Sequence, residues 1–215
     1  MARIDMTRRD ETFNFTFTSK RFQRAITMST PTTLKFKLIS AAPIFFGKPV
    51  FEKKNSDETH EQFEERTWAQ KVHQADDGQV FIQPFALKNA LEAAGSRLGM
   101  KLTGKATYTK LFRQGIMIND NILLNDAKWK AIIISDVTPI PMFVPSDGKR
   151  GSGKRVMRIF PQLAKWYASV EIVCFDNRLT EEVVRKHLEE AGKFIGFGSM
   201  RVENGGVAGR FSVVE

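Results

Sequence analysis

Cysteine is nearly missing from this chain of 215 residues, in which Cys174 stands alone. A single thiol excludes an internal disulfide framework and a cysteine zinc site, and it fits a reducing compartment. Its apolar surroundings make Cys174 a core residue. Histidine is scarce as well: His60, His73 and His187 lie far apart, without the paired spacing of a helical metal site. No apolar run approaches the ~20 residues of a membrane helix. The first residues also lack the apolar centre of a signal peptide, so the chain reads as soluble and cytoplasmic, with no membrane partner. No internal repeat or low-complexity segment is evident. Neither a metal nor a cofactor is expected.

What the chain has instead is positive charge. Its 33 Lys and Arg outnumber 24 Asp and Glu, for a net charge of +9. That balance favours a polyanionic partner, with nucleic acid first among them. Hydrophobic residues at 42% and charged residues at 27% are ordinary for one well-buried domain. This domain is placed at 28–215. Residues 1–27, with Phe13, Phe15 and Phe17 alternating among basic residues, read as an added strand or a basic arm.

The order of elements is informative. Residues 33–41 alternate Leu34, Phe36 and Leu38 with Lys35 and Lys37, which predicts a strand. Pro84 opens a helix with Leu87, Leu91, Ala94 and Leu98 at three-and-four spacing, closed by Gly99. Residues 130–137 form a β-branched run before Pro139, and 167–175 alternate again, so both are predicted strands. Thr180 is a candidate N-cap, Leu179 and Val184 a candidate staple, and Gly192 a candidate end for the next helix. A last strand covers 210–214. The fold class is therefore α+β, a modified ferredoxin-like β-α-β-β-α-β core of the kind shared by many single-strand RNA binders.

Three long connections, 42–83, 99–128 and 138–166, interrupt this core, and connections of that length are commonly functional. The charged stretch 58–77 within the first is expected to be partly helical. In the third, residues 148–155 come close to a Walker A loop, but Arg155 stands where a magnesium-binding hydroxyl is required, and Val156 to Phe160 looks extended rather than helical. Nucleotide hydrolysis is set aside on both grounds. The alternative is a flexible hairpin that sets Lys149, Arg150, Lys154, Arg155 and Arg158 against phosphates. Catalytic constellations are otherwise poor. Glu61, Glu64 and Glu65 suit a solvated face, His187 suits packing, and Asp57 in a loop is a weak candidate for metal-assisted strand scission.

Three stretches resemble one family. Leu34 to Gly47 gives an opening strand followed by a proline and a glycine turn. Ile82-Gln83-Pro84-Phe85-Ala86-Leu87-Lys88-Asn89-Ala90-Leu91 gives a helix opening. Ile195 to Phe211 gives a glycine-rich loop and closing strand, with Gly196, Gly198, Arg201, Gly205, Gly206, Gly209 and Arg210. Together they resemble the RAMP superfamily, and within it the backbone subunits that line guide RNA in CRISPR effector complexes. Phe85-Ala86 in place of a small Gly-Ser pair, and Met200 within the glycine loop, depart from that pattern.

The resemblance implies a non-catalytic protein that coats single-stranded RNA as repeated copies, without separating RNA from DNA. Gly196, Gly198, Ser199, Arg201 and Arg210 would cradle phosphates, Lys48, Lys88 and Asn89 would reach the strand, and the 138–166 loop would clamp it. The 99–128 insertion would act as a thumb, with Phe112 and Met117 wedging bases or touching the next subunit. Other readings also fit these residues. One is a stand-alone or phage-borne relative that binds nucleic acid, or blocks an effector complex by taking a backbone subunit's place among the other CRISPR effector subunits. Another is a metal-dependent ribonuclease of the same fold using Asp57 or His60.

Overall fold

The computed structural model describes residues 30–146 and 153–214. The expected arm at 1–27, and Lys149 and Arg150 of the basic loop, lie outside the described residues. The chain is α+β with antiparallel sheets. In chain order its elements are β1 (Thr32–Ser40), β2 (Ile44–Phe45), α1 (His60–Thr67), β3 (Phe81–Ile82), α2 (Pro84–Leu98), β4 (Lys101–Thr103), β5 (Ala106–Thr107), α3 (Thr109–Gln114), β6 (Ile116–Met117), β7 (Ile122–Leu123), β8 (Thr138–Pro145), β9 (Arg155–Leu163), β10 (Tyr167–Cys174), α4 (Glu181–Phe194) and β11 (Phe211–Val214).

The main sheet has four strands in the order β11-β1-β10-β6, all antiparallel neighbours. Alternation decides its faces. Phe36 and Leu38 of β1 lie opposite Val170 and Ala168 of β10, and all four are buried. Lys35 and Lys37, opposite Glu171 and Ser169, look out from the other face. The buried face carries α2 and α4. Leu87, Ala90, Leu91 and Ala94 of α2, and Val184, Leu188 and Ala191 of α4, close the core with Trp166, Phe197 and Phe211. Burial of such a set is the main source of stability.

Local chemistry fixes both helices. Pro84 occupies the first turn of α2, where its missing N–H costs nothing, and Gly99 ends the helix at φ +54°. The Thr180 side chain accepts from the Val183 N–H to start α4. Gly192 does not end that helix, which runs on to Phe194. It lies inside, and a Cβ there would stand 2.0 Å from the Phe211 carbonyl oxygen, so the glycine lets α4 approach β11.

Two expectations are corrected. Residues 130–137 do not form a strand. Their apolar run is divided between isolated bridges, Asn125 to Ala131 and Gln79 to Ile133, and a 3-10 turn at Ile134–Asp136, which Asp136 supports by accepting from the Ile133 N–H. The main sheet takes its outer strand from β6 inside the second connection. The third connection is not a loop either: β8 and β9 pair in register from Thr138↔Gln162 to Pro145↔Arg155, and with β2 they make a three-stranded sheet. Proline at 139, 141 and 145 obscured β8, yet an edge strand tolerates residues with no N–H to donate. In the first connection, the expected helical stretch is α1 followed by a 3-10 turn at Trp68–Lys71.

A buried ion pair fastens α1 to β9. Glu64 is buried, accepts from the Ile159 N–H at 2.7 Å and pairs with Lys71 Nζ at 2.5 Å, and Lys71 also donates to the Ile159 carbonyl at 2.8 Å. Of the three carboxylates expected on a solvated face, Glu61 and Glu65 are exposed, whereas Glu64 makes a joint. Among the described residues no helix is long and apolar enough to cross a membrane.

Candidate nucleic-acid interface

The segments singled out in the sequence meet at one open cleft of about 730 Å3. The exit of β2 supplies Phe46, Gly47 and Lys48; the approach to α2 supplies Gln83 and Ala86; the loop after α4 supplies Gly198, Ser199, Met200 and Arg201. A hollow of about 250 Å3 adjoins it, lined by Phe85, Asn89, Gly196 and, again, Arg201. Lys48, Asn89, Gly196, Gly198, Ser199 and Arg201 are therefore brought together. Lys48 is exposed, and its backbone N–H donates to the Lys71 carbonyl at 3.0 Å. Arg201 donates from Nε to Glu203 at 2.9 Å, which offsets part of its charge.

The loop's glycines serve the protein first. Gly198 stands at φ +75°, and a Cβ there would meet the Phe45 carbonyl oxygen at 2.3 Å. At Gly196, also φ +75°, a Cβ would lie 3.0 Å from the Gly209 carbonyl oxygen. The N–H groups of Gly196, Phe197 and Ser199 donate to the carbonyls of Ala191, Gly209 and Phe45 at 2.9, 2.9 and 2.8 Å. Those three amides are committed within the fold, while the Lys48 and Arg201 side chains and the Ser199 hydroxyl add donors to the cleft lining, next to the start of α2. The positive end of that helix has no acidic residue in its first turn. Met200, the residue that interrupts the glycine pattern, takes φ +58° itself.

Sequence reasoning missed the lining residues His73 and Asn204. His73 sits with its ring centroid 5.5 Å from that of Phe81, and burial, then the Lys48 charge, hold its pKa below the usual histidine value. The neutral ring adds no charge of its own near neutral pH. His73 ends a segment with no recognisable pattern, and only the tertiary fold brings it to Lys48.

Other predicted residues stand elsewhere. Lys88 is half-buried on α2 and outside the cleft lining. Arg210 lies across α4, donating from Nε to the Lys193 carbonyl at 3.1 Å. On β9, Arg155 and Arg158 are exposed, but their odd spacing puts them on opposite faces of the ribbon, and Lys154 precedes the strand. Since β2 pairs with the far end of β9 at Leu163 and Gln162, the ribbon starts beside the cleft. At ~3.3 Å per residue, Arg158 lies roughly 10 Å beyond Pro161 and Arg155 roughly 20 Å.

Phe112 is not a wedge. It is fully buried, with its ring centroid 4.2 Å from that of His187. Met117 is 40% exposed, but it sits on β6 opposite Val173, in the body of the protein rather than on a projecting thumb. His187 is likewise core: Nδ1 bonds the Val183 carbonyl at 2.7 Å, Nε2 has no partner, and burial lowers its pKa. Burial pushes the Cys174 thiol up to about 11, which leaves it protonated and unreactive. Asp57 lies in an exposed turn and His60 begins α1. Among the described residues no three His, Cys, Asp or Glu side chains converge as metal ligands.

No family profile matches the chain, and no curated protein does either. Among solved structures, one that it resembles is the crystal structure of Cmr6 from Pyrococcus furiosus, at 11% identity and a TM-score of 0.45, covering 86% of this chain and 98% of that one. Another belongs to a CRISPR RNA-guided surveillance complex, at 11% identity and a TM-score of 0.33, covering 82% of this chain and 65% of that one.

Proposed function

We propose that this protein is a non-catalytic subunit that binds a single RNA strand along its backbone, as one of several copies and in company with other CRISPR effector subunits. The observation that carries the reading is the meeting of Lys48, Ser199, Arg201 and the start of α2 around one open cleft, with Asn89 in the hollow that adjoins it. Cations, a hydroxyl and a helix N-terminus are the groups that hold phosphates. Three further points support it. The net charge is +9. The motifs at 82–91 and 195–211 that resemble the RAMP superfamily are the ones that line the cleft. The order β11-β1-β10-β6, with α2 after β1 and α4 after β10, is compatible with a ferredoxin-like core in which β6 would take the second strand's place. The ribbon of β8 and β9, carrying Arg158 and Arg155 outward from the cleft, gives the strand a second cationic support.

The test is binding of labelled single-stranded RNA and DNA at several salt concentrations, with the native protein, Lys48→Ala and Arg201→Ala. Affinity should fall with a steep logarithmic salt dependence, and each variant should lower the slope by about 0.7, one phosphate contact on a single strand. A flat salt response, or variants equal to the native protein, would remove the reading. Cleavage of the strand would replace it with the ribonuclease reading.

A further inference from the structure

The face of the main sheet turned away from the helices has a feature that backbone binding does not use. Ile39 of β1 lies between Tyr167 of β10 and Ser212 of β11, and Lys37 lies between Ser169 and Val214. Beside them the tight turn 126–130 holds Trp129 with its ring centroid 6.4 Å from that of Tyr167. Trp129 is 46% exposed, although an indole normally buries most of its surface.

The turn is built to hold that ring. Asp126 accepts from the N–H groups of Lys128 and Lys130 at 2.8 and 2.9 Å, Trp129 donates to the Asp126 carbonyl at 3.0 Å, and Asn125 and Tyr167 exchange two backbone bonds of 2.8 Å. Gln79 Nε2 anchors Asn125 from within at 3.1 Å. Trp129 itself takes φ +59°, a conformation that bulky residues rarely adopt and that persists only where the surroundings enforce it. Charge supports the same ligand class. Lys35 is paired with Glu171 at 2.5 Å, but among the described residues Lys37, Lys128 and Lys130 have no carboxylate partner, and Asp126 directs Oδ1 to backbone donors of its own turn.

We infer that Trp129 and Tyr167, flanked by Lys37, Lys128 and Lys130, form a base-stacking subsite for single-stranded nucleic acid on the open sheet face, separate from the phosphate-binding cleft. A flat ring displayed by a rigid turn accepts any base, and the lysines meet the adjoining phosphates. The inference rests on the proposed function only for the class of ligand.

Two measurements test it, both with the full chain. First, a single-stranded oligonucleotide should quench the tryptophan emission of the native protein, and the quench should shrink strongly in Trp129→Phe; Trp166 is fully buried and Trp68 half-buried, so neither offers an equally open face. Second, Trp129→Asn, which suits a positive φ, should bind at least about tenfold more weakly with an unchanged salt slope, while Trp129→Phe retains most of the affinity. Undiminished quenching in Trp129→Phe, native affinity in Trp129→Asn, or a change in oligomeric state without a change in affinity would overturn the subsite. A native protein that binds no strand would defeat both this inference and the proposed function, whereas salt-dependent binding indifferent to residue 129 would defeat this one alone.

Discussion

The Gly198 Cα presses so near the Phe45 carbonyl that a single added methyl group would come within 2.3 Å of the oxygen. The Ser199 N–H then bonds that same oxygen at 2.8 Å, which ties the loop after α4 to the exit of β2. The glycine is thus a condition for building the cleft.

Gly198→Val should therefore unfold the loop or the domain before it affects any phosphate. A positive φ costs a non-glycine residue ~1–2 kcal/mol, and overpacking against backbone adds ~1–3 kcal/mol. Chemical denaturation should show a loss of about 3 kcal/mol. Native stability combined with lost binding would restore a direct phosphate role for Gly198.

Glu64 and Lys71 offer a second measurement. Glu64→Ala leaves a largely buried ammonium and an unsatisfied Ile159 N–H, and breaking such a pair costs ~3–5 kcal/mol. Glu64→Met combined with Lys71→Met should cost less than Glu64→Ala alone, because no charge is stranded. Additive losses in urea titrations would show that the pair is not coupled.

His187 sets a pH dependence. Burial lowers its folded-state pKa below the unfolded value of ~6.5, so the unfolded chain binds the extra proton. Stability is then full above about pH 6.5 and declines as pH falls from there through the folded pKa. As pH falls below about 6.5, the melting temperature of the native protein should drop relative to that of His187→Phe, which carries no titrating ring. Parallel curves would assign the acid loss to other groups.

The ribbon cations give a fourth. Arg155→Ala and Arg158→Ala, on opposite faces, should each weaken strand binding modestly and to different extents, since one strand cannot follow both faces at once. Equal losses with equal changes in salt slope would show that the strand wraps the ribbon edge.

Helices and core strands were legible because their signals are local: Pro84 and Gly99, Thr180, and the alternation around Phe36 and Val170. The strand expected at 130–137 failed for a related reason. β-Branched residues fit any half-buried extended segment, and nothing local distinguishes a pair of bridges from a ladder. β6 is only two residues long, and its place in the sheet comes from pairing with Val173 and Cys174, which no neighbouring residue announces. In the cleft, Gly198, Ser199 and Arg201 could be found from the turn chemistry, whereas His73 arrives by topology alone. Phe112 was misplaced because an aromatic in a connection looks exposed until its partner, His187 on α4, is known.

The prolines of β8 bear on whether the ribbon's edge can pair. Pro139, Pro141 and Pro145 occupy alternate positions on the outer strand of the ribbon, where β9 takes the other side. An approaching strand would find an N–H at only one of the four outward places, Phe143, so a regular ladder along that side would lack most of its donors. The outer strand of the ribbon is thus exposed yet poorly suited to edge-to-edge pairing, and anything that meets it must do so chiefly through side chains.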